Sequence, residues 1–251
     1  MKLAKENRHK RDRYTREHPD YANNHIYLIR GQSHIEKGYK SATTWLKQFF
    51  DDFDADAIID QYYDNWQKRK HEKYYGKSKD EIKQMWDDNR DEAATAGTHM
   101  HLQFELFANG AKYEWIQEFD EFINWWTTEG IKPWRTEMTI YSPKYRIVGN
   151  VDLIAYDKNG DMIIVDYKRS EPKMANFGRY CKGPLSEYPH NDMTKHALQL
   201  SVYKKILEDL YDVEIKGLYN LYIKEDGKYW FKKQEYIDKI DELVEWARDT
   251  K

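Results

Sequence analysis

The segment GNVDLIAYDKNGDMIIVDYK, residues 149–168, consists of two apolar runs joined by a short polar stretch. Side chains two residues apart on a β-strand share a face, so Asp166 and Lys168 project together while Val165 and Tyr167 point to the other side. The segment therefore predicts a β-hairpin whose second strand ends in an acid and an amine on one face.

The loop of this hairpin decides whether Asp152 joins the pair. A two-residue turn at positions 159–160 would place Asp152 opposite Tyr167, on the wrong face. A three-residue loop, with a type I turn over positions 157–160 and a bulged glycine, sets Asp152 across from Asp166 instead. The sequence carries aspartate at the first and glycine at the fourth turn position, the residues this turn prefers, so we expect the three-residue loop.

Two carboxylates beside an ammonium group are suited to metal-dependent phosphodiester cleavage. Divalent metals neutralise the phosphate and generate a nucleophile at neutral pH, and Mg²⁺ prefers oxygen ligands. An adjacent lysine can hold the attacking water or stabilise the developing negative charge. Each residue alone is more often a solvated strand or turn residue, but charges at the end of an apolar surface are costly unless paired or metal-bound. Asp152, Asp166 and Lys168 are therefore predicted catalytic residues.

Composition excludes several classes of protein. A mean hydropathy of -1.02 and 34% charged residues, with no long apolar run, predict no membrane association. No secretory segment is visible, and we expect an intracellular protein of the cytoplasm or nucleus. The single cysteine, Cys181, excludes an internal disulfide and an all-cysteine metal or iron–sulfur cluster.

The pattern along the chain predicts the α/β class. From the Ser41 cap to about residue 128, aromatic residues recur at helical spacing and are expected in a core. Pro133 ends this part, and the remainder alternates between strands and helices. We expect a mainly helical part over residues 1–130 and a core over 131–251, together one compact unit. The predicted elements of the core are strands at Thr136–Tyr141, Tyr145–Tyr156, Met162–Lys168, Ile215–Lys224 and Lys228–Lys232, a helix from Asp192 or Thr194 to Leu210, and a closing helix from about Gln234.

Because the net charge is only -3, contacts with a polyanion must be concentrated in patches. The run over residues 8–13 is basic and is interpreted as a solvated tail. The predicted long loop after Lys168 is the stronger candidate because it follows the proposed site directly. Its basic residues expected to hold a nucleic-acid strand are Arg169, Lys173, Arg179 and Lys182.

The order of Asp152 and then Asp166-Tyr167-Lys168 resembles the PD-(D/E)xK nuclease superfamily, and more narrowly its RecB-type exonuclease branch. Upstream, GTHMHLQFE over residues 97–105 resembles the GTxxHxxxE helix of that branch, and downstream QLSVY over residues 199–203 resembles its QxxxY motif. Single motifs of this kind are weak, but their order and spacing agree. The absence of a cysteine set departs from those members that carry an iron–sulfur cluster.

The resemblance implies a restriction-endonuclease-like core, with a mixed central sheet flanked by helices. It also implies Mg²⁺ or Mn²⁺ as cofactor, with His101, Asp152, Asp166 and the Tyr167 carbonyl as ligands. The further roles that it implies belong to residues outside the hairpin: Glu137 and Glu105 as additional catalytic acids, and Gln199 and Tyr203 as groups that touch the substrate strand or the lysine.

We therefore expect a metal-dependent deoxyribonuclease, an exonuclease that acts from DNA ends in recombination or repair. Two alternatives stay open: a structure- or sequence-specific endonuclease with the same centre, and a non-catalytic DNA-binding or assembly subunit. The resemblance also leaves open a viral or phage origin and the need for a helicase or recombination partner. The sequence does not determine digestion polarity, strand preference or oligomeric state.

Overall fold

The computed structural model describes residues 1–17, 26–171, 174–175, 178–224 and 226–250. These residues divide into two compact units, one formed by 1–50 with 100–251 and the other by 51–99. Lys173 lies outside the described residues, so its expected role in holding a strand stays a prediction.

The helices and strands occur in the following order. The helices are α1 Lys2–Glu6, α2 Ala42–Leu46, α3 Ala55–Gln67, α4 Lys79–Ala108, α5 Phe119–Thr128, α6 Asp192–Leu210 and α7 Ile240–Asp249. Short 3-10 turns lie at Asp12–Tyr14, Lys47–Phe49 and Gly183–Leu185. The strands are β1 Thr15–Glu17, β2 Tyr27–Ile29, β3 Gln32–Ser33, β4 Lys40–Ser41, β5 Lys132–Ser142, β6 Ile147–Tyr156, β7 Met162–Lys168, β8 Gly217–Ile223 and β9 Tyr229–Lys233.

The large sheet is mixed, and its helical flanks confirm the expected α/β class. Its order is β4-β6-β7-β8-β9, with β5 paired to β6 along the other edge of that strand. The β4–β6 and β7–β8 pairs are parallel and the rest are antiparallel. Strand β6 pairs with β4 at residues 147–148 and with β7 at 153–156, so it changes partner between them. Asp152 lies at this fork, where the edge of the strand is open.

The hairpin has the predicted register. Leu153 pairs with Val165 and Ile154 with Ile164, which places Asp152 opposite Asp166. In the loop the Asp157 amide donates to the carbonyl of Asp161 at 3.0 Å. Gly160 has a φ of +83°, which favours glycine, and its amide donates back to the Asp157 carbonyl at 3.0 Å. The three-residue loop is confirmed.

Alternating side chains of the hairpin enter two different cores. Ile154, Met162 and Ile164 belong to the cluster that includes Leu198, Leu200 and Val202 of α6. The opposite face joins the end of α4 and α5 in a second cluster, whose members include Phe104, Phe122, Trp125, Leu153, Val165 and Tyr167. The two layers of helices hold the ends of β6 and β7 rigidly between them.

Helix ends follow the expected local chemistry in two places. The Ser41 hydroxyl accepts the Thr44 amide at 3.1 Å and caps α2. Helix α6 spans the predicted residues, and the Asn191 side chain caps it by accepting the Thr194 amide at 3.0 Å.

The closing helix differs from the prediction, because it begins at Ile240 rather than near Gln234. The Gln234 amide donates to the Leu218 carbonyl at 2.7 Å, and the Ile237 amide donates to the Ser201 hydroxyl at 2.9 Å. These contacts tie residues 234–237 to the sheet and to α6 in a non-helical conformation, and the helix starts only after them.

Strand β5 also begins earlier than expected and includes Pro133. The register shifts between Pro133 and Arg135, which leaves Trp134 in a bulge. Because β5 is an edge strand, a proline without an amide hydrogen is tolerated there.

The N-terminal residues are more ordered than the sequence predicts. Strands β1, β2 and β3 form a small antiparallel sheet. The basic run that we interpret as a tail is docked, because Arg11 donates to the Tyr141 carbonyl at 3.1 Å and Arg135 pairs with Asp12 at 2.7 Å. Residues 1–50 and the helix from Met100 onward thus join the sheet unit, a division that differs from the expected boundary at residue 130.

The unit of residues 51–99 is built around aromatic side chains. Trp66 and Tyr74 have ring centroids 4.8 Å apart, and the Trp86 indole donates to the Tyr74 hydroxyl at 2.8 Å. The aromatic stripes are expected in a core, and two of their members depart from this: Tyr62 and, in the sheet unit, Trp115 are 44% and 58% exposed. Among the described residues, no helix has the length and apolar character needed to cross a membrane.

Candidate active site

Helix α4 brings His101 to the fork in the sheet. The imidazole Nε2–H donates to the Tyr167 carbonyl at 3.1 Å, since a carbonyl oxygen can only accept. Its Nδ1 lies 3.5 Å from Asp152 Oδ2 and 3.6 Å from Glu137 Oε1. A backbone carbonyl that holds one ring nitrogen and aims the other at acids is the arrangement typical of a metal-ligating histidine.

Glu137 reaches the site through an unusual backbone. It lies on β5 between two pairs, Thr136 with Leu153 and Met138 with Val151, which places it opposite Asp152. Its φ is +43°, in the left-handed region that non-glycine residues rarely adopt within a strand. Such strain costs on the order of 1–3 kcal/mol and is concentrated at functional sites.

His101, Glu137 and Asp152 form a group that fits a divalent metal. One potential ligand atom from each lies within 4.8 Å of the others. Ligands on opposite sides of a Mg²⁺ ion are about 4.2 Å apart, given bonds of about 2.1 Å, so the group needs only a small contraction. The two carboxylates are hard oxygen ligands of the kind that Mg²⁺ and Mn²⁺ take, and the imidazole is a ligand more typical of transition metals.

Asp166 is held by neighbours instead of joining this group. Its Oδ1 accepts the Gln199 amide at 3.1 Å, and its Oδ2 accepts the Asn220 amide at 2.6 Å. The Lys168 ammonium lies 2.8 Å from the same Oδ2, and the Asp166 side chain is only 4% exposed. The structure thus brings together His101 and Asp152, which the resemblance implies as metal ligands, and adds Glu137 to them. Asp166, also an implied ligand, lies beside this group and is held by its own hydrogen bonds.

The Tyr167 backbone links the two groups. Its carbonyl accepts from His101, and its amide donates to Asp152 Oδ2 at 2.8 Å. In this arrangement the carbonyl orients the imidazole, a different contact from the metal ligation that the resemblance implies.

The pKa shifts at the site arise because several acids lie close together in a partly buried place. Burial raises the pKa of Asp152 to about 7, with the Asp166 and Glu137 charges adding to the effect and His101 opposing it. For His101, burial disfavours the cation, but Asp152 and Glu137 outweigh this and raise its pKa to about 9. Burial likewise opposes the charge of Lys168, yet the Asp166 and Asp152 carboxylates raise its pKa above the ordinary value. Lys168 is therefore an ammonium here, a cation rather than a base.

Gln199 and Tyr203 are expected to touch the nucleic-acid strand or Lys168, and both side chains are buried. Gln199 donates to Asp166 and also lies 3.3 Å from the Tyr203 hydroxyl. A Cβ on Gly149 would come within 2.8 Å of the Tyr203 ring, so glycine is what allows α6 to approach β6. Because α6 packs directly on the sheet, Gln199 holds Asp166 in place from the interior, and Tyr203 in turn contacts Gln199.

The other sequence-predicted residues have mixed placements. Arg169, which is expected to hold a nucleic-acid strand, is largely buried. Its guanidinium pairs with Glu118 at 2.7 Å, and these two side chains are only 15% and 5% exposed. Arg179 and Lys182 are exposed and accessible to a nucleic-acid strand.

Glu105 lies one turn beyond His101 on α4 and is not part of the group of three potential metal ligands.

Sequence analysis did not identify His196 and Asn220. His196 lies three residues before Gln199 on α6, and its Nδ1 is 2.8 Å from the Tyr222 hydroxyl. Burial, followed by the charge of Lys168, lowers the pKa of His196 to about 4. Asn220 pairs with Asp166 across the parallel β7–β8 ladder. A polar residue within the apolar run GLYNLYI was the signal that could have revealed it.

Under the nuclease activity that the resemblance implies, Asn220→Asp should lower the cleavage rate by about 10- to 100-fold, the usual effect of losing a partner that orients a catalytic group. The amide that donates to Asp166 Oδ2 at 2.6 Å would become a second carboxylate, and the two acids would repel. The measurement is the initial rate on end-labelled DNA, together with the melting temperature. Asn124→Asp, on an exposed amide, is the control. A rate for Asn220→Asp within two-fold of the wild-type rate would contradict the role of Asn220.

One family model and two solved structures show what this chain is similar to. The family described as the PD-(D/E)XK nuclease superfamily matches residues 36–250, well over half of the chain. The chain is similar to the crystal structure of SSO0001, with 17% identity, coverage of 84% of this chain and 74% of that one, and a TM-score of 0.36. It is also similar to a candidate exonuclease from Eubacterium rectale, with 11% identity, coverage of 86% and 79%, and a TM-score of 0.33.

The sequence matches none of the curated proteins with which it was compared. The family of the chain is assigned from the family match alone. That match extends from β4 through the catalytic hairpin to α7. The chain therefore belongs to the PD-(D/E)XK nuclease superfamily.

Proposed function

We propose that this protein is a metal-dependent deoxyribonuclease that hydrolyses phosphodiester bonds from DNA ends. The observation that carries the proposal is the group of His101, Glu137 and Asp152, whose ligand atoms lie within 4.8 Å of one another beside the Lys168–Asp166 pair. A protein scaffold has no physical need for several like-charged acids in one place.

Each residue of the site has a proposed task. His101, Glu137 and Asp152 would hold Mg²⁺ or Mn²⁺, with Asp166 beside them. The metal, when bound, supplies charge neutralisation at the scissile phosphate and activates water. Lys168 positions the water for in-line attack and stabilises the charge that develops on phosphorus, as its ammonium state favours. Gln199 and Asn220 fix the Asp166 carboxylate so that it in turn fixes Lys168.

Action from ends is supported by the resemblance of the motifs to RecB-type exonucleases. Residues 97–105, the hairpin and residues 199–203 occur in the order of that branch. An endonuclease could use the same centre, so the substrate topology is the point to test.

The test is digestion of end-labelled linear DNA and covalently closed circular DNA by the wild-type protein, with Mg²⁺ or Mn²⁺ and with EDTA. We expect mononucleotides or short products from linear DNA, an intact circle, and no reaction in EDTA. Cleavage of the closed circle would replace the exonuclease by an endonuclease. No cleavage of either substrate with either metal would refute the catalytic proposal.

A further inference from the structure

A second surface of the sheet unit combines tyrosine rings with cations that form no ion pair with any described residue. We call it the arginine–tyrosine surface, and its residues are Arg13, Tyr14, Arg30, Lys37, Tyr39 and Arg146. We infer that it binds the sugar–phosphate backbone of a DNA strand beyond the scissile bond. This inference rests on the proposed function for its substrate, but its test does not depend on cleavage.

The six residues are contiguous in space. The guanidinium carbons of Arg13 and Arg30 lie 4.6 and 4.9 Å from the centre of the same Tyr14 ring. Arg30, Lys37 and Arg146 line one open cavity of about 330 Å³ together with Tyr39. The Arg146 guanidinium is 5.0 Å from the centre of the Tyr39 ring.

Within the part of the chain that the structure describes, the cations of this surface have no acidic partner. Among the described residues, Arg13, Arg30, Lys37 and Arg146 form no ion pair, and the described lining of the cavity contains no acid. Exposed lysines elsewhere do form such pairs, as Lys79 does with Asp60 at 2.7 Å. In a protein with a net charge of -3, an unneutralised cluster of cations repels itself and is stabilised by a polyanion.

Two of the arginines occupy positions where the backbone favours other residues. Arg30 and Gly31 have φ values of 53° and 80° and lie between the paired Ile29 and Gln32. A two-residue turn with both φ values positive prefers Asn-Gly. Arg146, with a φ of 58°, is also in the left-handed region. Arginine at both positions costs stability, and a role for the charge would account for the strain.

The surface is also preorganised. Arg146 donates to the Lys37 carbonyl at 2.6 Å, which holds its guanidinium against the loop. A Cβ on Gly38 would lie 2.9 Å from the Arg146 Nη2 atom, so the glycine leaves room for this position. A fixed guanidinium binds phosphate with less loss of side-chain entropy.

The distance between the arginine–tyrosine surface and the active site is one that a single DNA strand could span. Tyr141, which also lines the cavity, is four residues beyond Glu137 on β5. At about 3.4 Å per residue this corresponds to about 14 Å. Duplex DNA advances about 3.4 Å per base pair, so a strand cleaved at the site would reach the surface about four base pairs away. Tyrosine beside arginine favours a nucleic acid over an acidic protein, because bases and sugars can pack on the rings while phosphates meet the cations.

The test compares DNA affinity of charge variants of the full chain in EDTA, where no cleavage occurs. The probe is a fluorescent duplex with a single-stranded tail, and anisotropy is measured across a salt series. The variant is Arg30→Asn/Lys37→Gln/Arg146→Asn, because asparagine is among the residues that best tolerate the left-handed backbone. The control is Lys79→Gln/Lys83→Gln/Lys216→Gln, which removes three charges from lysines paired with Asp60, Asp56 and Glu214.

We expect the surface variant to bind DNA at least about ten-fold more weakly than the wild type. The salt slope, which is the slope of log affinity against log salt concentration, should become shallower by about two to three units, because each lost phosphate contact accounts for about 0.7–0.9 units. The control should bind like the wild type. Arg30→Lys/Arg146→Lys should retain the salt slope because it keeps the charges. If the triple variant does not fold, Arg30→Asn and Lys37→Gln alone should each lower the slope by somewhat less than one unit.

Wild-type affinity and slope in the surface variant would overturn the inference while leaving the proposed nuclease intact. Equal competition by poly-glutamate and by DNA of the same charge would assign the surface to an acidic protein instead. Loss of binding in the variant, combined with no cleavage by the wild type in Mg²⁺ or Mn²⁺, would support the surface and refute only the catalytic proposal.

Discussion

Lys168→Ala should reduce DNA cleavage by at least about 10²–10³-fold, the effect of removing one group that stabilises a transition state. The ammonium lies 2.8 Å from Asp166 and is held in the charged form by that carboxylate and Asp152. Asp166 keeps its hydrogen bonds to Gln199 and Asn220, so the fold and the metal group should persist. The measurements are single-turnover cleavage, DNA affinity in EDTA and melting temperature.

The control for this variant is Lys205→Ala. Lys205 also pairs with an aspartate at 2.8 Å, and its side chain is 26% exposed compared with 24% for Lys168. A loss of activity with Lys168→Ala alone therefore cannot be attributed to losing an ion pair of that kind. Lys168→Met, which keeps the aliphatic stem, separates charge from packing. Unchanged turnover in both Lys168 variants would refute the assignment.

Asp152→Asn should abolish cleavage and weaken Mn²⁺ binding by more than about 100-fold, since loss of an outer partner of a ligand already costs 10- to 100-fold. The amide oxygen can still accept the Tyr167 amide, which Asp152 accepts at 2.8 Å, so the backbone contact survives. Burial raises the pKa of Asp152, which means that its charge is unfavourable in the metal-free fold. The variant should therefore still fold without metal, because removal of this unfavourable charge offsets the loss of the contact with the His101 cation.

Calorimetric titration with Mn²⁺ and thermal melting with and without the metal measure these effects. The wild type should gain stability from Mn²⁺ and the variant should not, because only a bound metal stabilises the folded state. Asp161→Asn, on the exposed loop of the same hairpin, is the control. Wild-type Mn²⁺ affinity in Asp152→Asn would remove this carboxylate from the metal site.

Parts of the site that depend on local geometry could be predicted. Strand periodicity places Asp166 and Lys168 on one face, and the turn residues at Asp157 and Gly160 set the register with Asp152. The cap at Ser41 and the span of α6 follow from similar short-range rules.

Other parts depend on contacts between segments that are distant in sequence. Asn220 meets Asp166 only because β7 and β8 are parallel neighbours, a pairing that no local pattern specifies. The strained backbone of Glu137 and the late start of α7 are likewise imposed by the strands and helices around them. Arg169 also could not be judged from sequence, because its burial depends on Glu118, 51 residues away.

The sequence by itself determined the α/β pattern, the hairpin that carries Asp152, Asp166 and Lys168 and, through the order of its motifs, the resemblance to PD-(D/E)xK nucleases. Only the tertiary structure decided that Glu137 joins His101 and Asp152, that Asp166 is cradled by Gln199 and Asn220, and that Arg13, Arg30 and Arg146 lie on one surface. The physical reason is range: turns and strand alternation depend on bonds within a few residues, whereas these groups meet through strand pairing and helix packing.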